Sequence, residues 1–440
     1  MTGSPQSSAL LGPLLSDPST SARFTDESAV RALLEFEAAL ARAQASAGVI
    51  PAPAAEAISR AAADLEPDWR RLGAGSAASG HPVAELVAQL RVAAGGAADF
   101  VHRGATAQDA VDTALTLRLV PVLEDFDRRL SGLIADLAAK ARGHRRTVMA
   151  GRTRHQQAVP ITLGLKVAGW LLPLVRHRQR LSELRPRVLL VQLGGPAGTL
   201  AGLGRDGVRV LEELGKELQL GVPCAPWHTQ RDGFAELAGW LAMVSGSLGK
   251  IGTDLGLLAQ TEVGEVSEGS AGTSSAMPQK CNPVRAESLV ALARANAGLV
   301  GSMHHPLALA HERGGSEWTL EWLTLPQMVC QTAAGLRLAD SAMAELEVDA
   351  DRMRANMRLS GRGLLAEAAS AALAASMPVS EAAALVRRAS LRAAHPGGDL
   401  IRSLRKMTEA PVAWEAVGDV SAWLGSSDAF INRALATAKA

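Results

Sequence analysis

The sequence predicts an all-α protein built around a bundle of long helices, and three observations carry that prediction. The composition is rich in Ala, Leu and Arg, with no Tyr and only 3% aromatic residues, which favours helices over strands. Several stretches carry apolar residues every three or four positions over lengths beyond a typical globular helix. Polar or glycine-rich joints separate these stretches, at 152–160, 194–205 and 264–283. With 440 residues, 48% of them hydrophobic, the chain has ample material for a large core and more than one domain.

The first helix is predicted to start at Thr25 and Asp26, whose side chains can cap it, and to carry Val30, Leu33, Leu34 and Leu40 on one face before stopping at Gly48 and Pro51. A second follows over 54–65. Glycine and serine dominate 73–80, so His81 and Pro82 are expected to open the helix at 83–92 out of a loop. From Asp109 the long helices begin: Val111, Leu115, Leu119, Val122, Phe126, Leu130, Leu133 and Leu137 repeat with helical spacing, and Pro121 is expected to kink or break the run. Further long runs are read at 161–184, 233–263, 287–303 and 320–346. Helices of this length need neighbours of similar length to bury their apolar stripes. From Asp349 onward the helices shorten, one of them expected to be capped by Ser380, with breaks at Pro396 and Pro411.

The formal charge of +1 argues against a nucleic-acid partner. The three cysteines, Cys224, Cys281 and Cys330, match no metal or disulfide spacing and suit a reducing cytoplasm. No apolar run is long enough to span a bilayer, and the first residues lack a basic segment and do not read as a signal peptide. No His/Asp/Glu cluster has ligand spacing, so no metal or organic cofactor is expected.

The most unusual stretch is GSAGTSSAMPQKCNPVRAE, Gly269 to Glu287. Small permissive residues suit a loop. They lead to Lys280, Asn282 and Glu287 at the start of an apolar-periodic run, where helix amides would sit beside an ammonium group. On the residues alone this reads equally as an anion site with a hydroxyl nearby and as an exposed loop capping a helix.

Taken together, the joints resemble those of the fumarase/aspartase superfamily. GTSSAMPQKCNP, residues 272–283, is similar to its signature loop, usually GSSxMPxKxNP; HRGATAQDAVDTAL, from His102, resembles its first conserved region, and GRTRHQQAVPITLGLKVAGWL, from Gly151, its second. Within the superfamily the chain is most similar to the bacterial 3-carboxy-cis,cis-muconate cycloisomerases, through QLGGPAGTLAGLG at 192–204, PWHT at 226–229, LLAQTEVGEV at 257–266 and HERGGSEWTLEW at 311–322. The likeness covers nearly the whole chain and is weakest at the C-terminal end.

The resemblance implies an all-α, three-domain subunit, divided here at 1–108, 109–348 (the central long-helix bundle carrying the signature loop) and 349–440. It also implies a cytoplasmic homotetramer whose active sites form where three subunits meet, acting on a small dicarboxylate or tricarboxylate without cofactor, nucleic acid or membrane. Ser274 matches the general base that removes a proton beside a carboxylate, and local amides and cations must lower its pKa. Lys280 and Asn282 match the groups holding the carboxylate of the developing dianion, where a fixed cation gains most in the transition state. Thr106, Thr153, Gln156, Ser275 and Met277 match substrate-binding positions.

Several positions depart from the pattern. Ala107 replaces a hydroxyl residue. Arg154 stands where lyases of the superfamily carry a general-acid His; arginine is a poor acid but binds anions well, and His155 beside it points elsewhere if the segment is extended. Glu287 matches a glutamate of the lyases, and an Arg154–Glu287 ion pair between subunits is the expectation. His81 also matches a lyase position. His102 and Asp109 read equally as functional groups and as a loop histidine and a helix N-cap, and Cys281 reads as a packing residue. Two reactions follow: cycloisomerisation of carboxymuconate to a lactone, and, as the alternative, release of fumarate from a substituted succinate such as nitrosuccinate, aspartate or adenylosuccinate.

Overall fold

The computed structural model describes residues 8–269, 272, 277, 280–395 and 398–439. The fold is all-α, with two small antiparallel β pairs, Val148–Thr153 with Gln156–Thr162 and Val266–Ser267 with Glu347–Val348. Five long helices, Ala107–Gly143, Leu163–Val188, Asp232–Leu258, Val284–His304 and Gly315–Ala344, are the longest elements of the described chain. No described helix is long and apolar enough to cross a membrane.

By packing, the chain forms two compact units: Met1–Arg128, His177–Ser245 and Leu292–Leu336 make the first, and Arg129–Arg176, Gly246–Ala291 and Arg337–Ala440 the second. The first unit holds the helix Asp26–Ser46, whose N-cap Thr25 accepts from the Ser28 amide at 3.2 Å. Its buried face, including Leu33, Leu34, Phe36 and Leu40, joins Ile58, Leu86, Leu90, Val191, Val210 and Leu214 in one core. Asn296 ties three helices of this unit together by donating to Ser245 Oγ at 2.7 Å and Thr332 Oγ1 at 2.9 Å.

In the second unit the core gathers the C-terminal helices around Leu365, Leu373, Leu385, Ala389, Leu400 and Leu404, and the buried Val148 and Ala150 of the first strand belong to it. The β pair therefore stands on the C-terminal helices, which fixes the joint that carries Thr153, Arg154 and Gln156.

The structure corrects several sequence expectations. Residues 69–79 form a helix instead of a loop: Asp68 caps it by accepting from the Arg71 amide at 3.0 Å, and Gly80 ends it at φ +80°. Gly75 is there for close packing, since a Cβ would lie 2.7 Å from Glu85 Cβ. The Ala107–Gly143 helix runs through Pro121 without breaking; one missing backbone bond is offset by the buried Leu119, Val122, Leu123 and Phe126 on either side. The run read as a helix from 161 starts at Leu163, because 156–162 is a strand. Pro378, not Ser380, occupies the N-cap of the helix Val379–Ala393, which has no side-chain cap. Pro396 lies outside the described residues.

Candidate active site

The first conserved region is held by Asp109. It sits at the third residue of the helix starting at Ala107, so it is not the N-cap; its carboxylate instead reaches back to accept from the Thr106 amide at 2.9 Å, half of a capping box. The same carboxylate accepts from the Gly194 and Gly195 amides at 2.9 and 3.0 Å and pairs with His228 Nε2 at 2.6 Å. This is why the QLGG joint is glycine-rich: a Cβ on Gly194 would lie 2.6 Å from Pro226, and Gly195, at φ +68°, lies against the Gly104 carbonyl. Asp109 is thus structural: it ties the first joint to the glycine joint.

One helical turn on, Asp112 and Glu321 clasp the guanidinium of Arg231. Arg231 donates to Asp112 Oδ2 at 2.7 Å and to Glu321 Oε1 at 2.9 Å, and all three side chains are buried. Trp227 and Phe234 rings each lie 5.0 Å from the guanidinium carbon. Burial alone would lower the Arg231 pKa, but the two carboxylates raise it, so this cation stays charged. Gln108 donates to Asp112 and to the His228 carbonyl, at 3.2 and 3.0 Å, while its own oxygen accepts from Arg313 Nε at 2.9 Å. Arg313 then reaches Thr106 Oγ1 with Nη1 at 3.2 Å.

The Thr106 hydroxyl therefore sits beside a guanidinium whose other nitrogen, Nη2, is buried with no hydrogen-bond partner. Trp318 Nε1 and His81 Nδ1 share that condition, and the His81 and Trp318 rings lie 6.3 Å apart. Burial, then the charges of His102 and Arg313, lowers the His81 pKa. His102, in the left-handed region at φ +61°, pairs with Glu37 at 2.6 Å. Burial opposes its charged form, but the Glu37 carboxylate outweighs burial and the pKa is raised. Neutralising that carboxylate in Glu37→Gln is expected to lower the His102 pKa in an NMR titration. The sign follows from the raised folded value: the stabilisation is complete below the ordinary pKa and lost as pH rises through the folded one. The variant's deficit in urea unfolding, about 1–2 kcal/mol, should therefore appear near pH 5–6 and vanish under alkaline conditions.

In the second unit, Thr153, Arg154, His155 and Gln156 form the tip of the β pair, and all four are exposed. The segment is not extended at its centre: Arg154 and His155 have φ +51° and +65°, as a two-residue hairpin turn that follows the strand twist requires. The base of the hairpin is fixed by Glu265. This buried carboxylate accepts from Arg152 Nη1 and Nη2 at 2.9 and 2.6 Å and from Asn356 Nδ2 at 2.8 Å, while Gln157 donates to the Asn356 carbonyl at 2.9 Å.

Of the signature loop, Ser274 and Ser275 lie outside the described residues. Met277 and Lys280 are exposed, and Asn282 donates its amide to the Gly272 carbonyl at 2.9 Å. Gly272, at φ +81°, has no room for a side chain, since a Cβ would meet the Asn282 carbonyl oxygen at 2.0 Å. The helix that follows, Val284–His304, is capped by Glu268, which accepts from the Arg285 and Ala286 amides at 3.0 and 2.8 Å. Glu287 is exposed in its first turn. Among the described residues, no hydrogen bond or ion pair within the chain joins Thr153, Arg154 or Gln156 to Lys280, Asn282 or Glu287. Cys281 is exposed, so it packs nothing in the subunit.

Sequence reasoning named Thr106, His81 and His102 individually but missed Arg313 and Trp318, which lie in HERGGSEWTLEW. The signal was available: an arginine followed by two glycines at a helix start, with an indole one turn on. Comparison with known proteins gives the context. A family model described as "Lyase" matches residues 16–298. A Pseudomonas aeruginosa protein named 3-carboxy-cis,cis-muconate cycloisomerase is 44% identical, over 94% of this chain and 93% of that one. Two solved structures align closely. That of the 3-carboxy-cis,cis-muconate lactonizing enzyme from Pseudomonas putida has a TM-score of 0.92 at 38% identity, covering 98% of this chain and 99% of the other. That of a fumarate lyase from Mesorhizobium sp. BNC1 has a TM-score of 0.89 at 39% identity, covering 96% and 98%.

Proposed function

Because the chain belongs to the fumarase/aspartase lyase superfamily, we propose that it is a 3-carboxy-cis,cis-muconate cycloisomerase, closing carboxymuconate to a carboxymuconolactone in aromatic catabolism. The observation that carries this reading is similarity to a protein of that name along almost the full length of both chains, with the signature residues Ser274, Lys280 and Asn282 all present. In the lactone-to-diene direction, Ser274 takes the proton beside a carboxylate, Lys280 and Asn282 hold that carboxylate as negative charge grows on it, and the ring carboxylate leaves from the neighbouring carbon. Lactone formation is the reverse. Thr106, whose hydroxyl oxygen accepts from Arg313 Nη1 at 3.2 Å, keeps its own O–H to donate to a second carboxylate. Thr153, Arg154, Gln156, Ser275 and Met277 complete the substrate contacts. The expected assembly is a homotetramer in the cytoplasm, the exposed hairpin tip of one subunit meeting the signature loop of another and Arg154 pairing with Glu287.

A second reading, fumarate release from a substituted succinate, is favoured by Glu287 and His81 at lyase-like positions. Purified protein should bleach the diene absorbance of carboxymuconate. Fumarate appearing from nitrosuccinate, aspartate or adenylosuccinate with no loss of diene would overturn the cycloisomerase reading in favour of the second.

A further inference from the structure

Among the described residues, the buried side-chain nitrogens of the first unit without a hydrogen-bond partner include Arg313 Nη2, Trp318 Nε1 and His81 Nδ1. A buried donor left unpaired costs free energy comparable to a lost hydrogen bond, so a cluster of them is best explained by an acceptor that arrives with a ligand. His81 links the other two, its ring 6.3 Å from that of Trp318 and close enough to Arg313 to feel its charge. Arg313 is fixed at its other two contacts by Gln108 and Thr106, which leaves Nη2 as its available donor. Trp318, only 7% exposed, has the His81 and Trp322 rings as neighbours, with centroids 6.3 and 4.6 Å away. His81 lies within the field of the Arg313 cation. The missing acceptor is anionic, because it must face a guanidinium, and it accepts several bonds at once, as a carboxylate does.

We propose that Trp318 Nε1, with Arg313 Nη2 and His81, forms a subsite for an additional carboxylate of the substrate, so that Trp318 selects tricarboxylates over dicarboxylates. This rests on the reading of the chain as a cycloisomerase of a tricarboxylic acid and names the residues that recognise its extra group. The selection is strong for a physical reason: a dicarboxylate would leave two buried donors, Arg313 Nη2 and Trp318 Nε1, without a partner, and sites built to hydrogen-bond a group discriminate sharply against ligands lacking it. A carboxylate here would also favour protonated His81.

The test is equilibrium binding to the intact wild-type protein of tricarballylate and of glutarate, which differs from it only by the middle carboxylate. Tricarballylate should bind more tightly, by about tenfold or more, and should raise the His81 pKa in an NMR titration. Trp318→Phe, which keeps a ring but removes the N–H, should abolish the preference while leaving glutarate affinity and the melting temperature unchanged. Equal affinity of the wild type for the two acids, or an undiminished preference in Trp318→Phe, would overturn the proposal. Because binding needs no turnover, a protein that prefers tricarballylate yet leaves carboxymuconate unchanged would reject the reaction and retain the subsite.

Discussion

Replacing Ser274 with alanine is expected to lower kcat on carboxymuconate by about 10²–10⁴-fold, the usual contribution of a positioned general acid or base, with KM little changed. The reasoning is that Ser274 acts on a proton and Lys280 and Asn282 bind the charge, so removing the hydroxyl removes transition-state stabilisation and spares ground-state binding. Initial rates of diene loss, together with tricarballylate binding to the variant, check both halves. Activity within a few fold of wild type would remove Ser274 from the mechanism. A large rise in KM with unchanged kcat would make it a binding group instead.

The largest effect on stability is expected at Arg231. Arg231→Met leaves the carboxylates of Asp112 and Glu321, both buried, facing each other without their cation, and breaking a buried pair from one side costs roughly 3–5 kcal/mol. The loss should depend on pH with a definite sign. Burial already raises the Glu321 pKa although Arg231 opposes it; without Arg231 it rises further, so the folded variant binds a proton that the unfolded chain has released. The variant should therefore regain stability as pH falls from 7 towards 5 by more than the wild type gains over the same range. Urea unfolding at a series of pH values measures this. Adding Glu321→Gln should recover part of the loss at neutral pH and flatten the pH dependence.

How far the fold could be read from the sequence depended on the period and length of each segment. The Ala107–Gly143 helix was legible because its buried positions repeat over many turns, so even Pro121 could not hide it. The hairpin was not. Its strands are short, its turn is Arg154-His155 instead of a glycine or asparagine pair, and its stability comes from Glu265 and Asn356, which lie more than a hundred residues away in sequence. The helix Trp69–Ser79 was missed because its glycines looked like loop punctuation, whereas Gly75 serves close packing against Glu85. The candidate site divided in the same way. Residues inside recognisable motifs, Thr106, Lys280 and Asn282, could be named in advance. Arg313 and Trp318 lie in the HERGGSEWTLEW motif but were passed over, because the unpaired state of their nitrogens appears only once the chain is packed. Asp109 shows the converse case, a motif acid occupied entirely with holding two joints together.

The Glu265 anchor has a wider consequence for how such pockets diversify. The turn proposed to meet the substrate is distinct from the groups that hold its hairpin: register is set by the strands, footing by the C-terminal core, and orientation by Arg152, Glu265 and Asn356. Residues 154 and 155 are therefore an interchangeable tip on a rigid handle. An imidazole in place of the guanidinium at 154 would alter which protons can move there while asking nothing new of the scaffold, so descendants of one ancestor could exchange acid catalysis for anion capture in a single substitution.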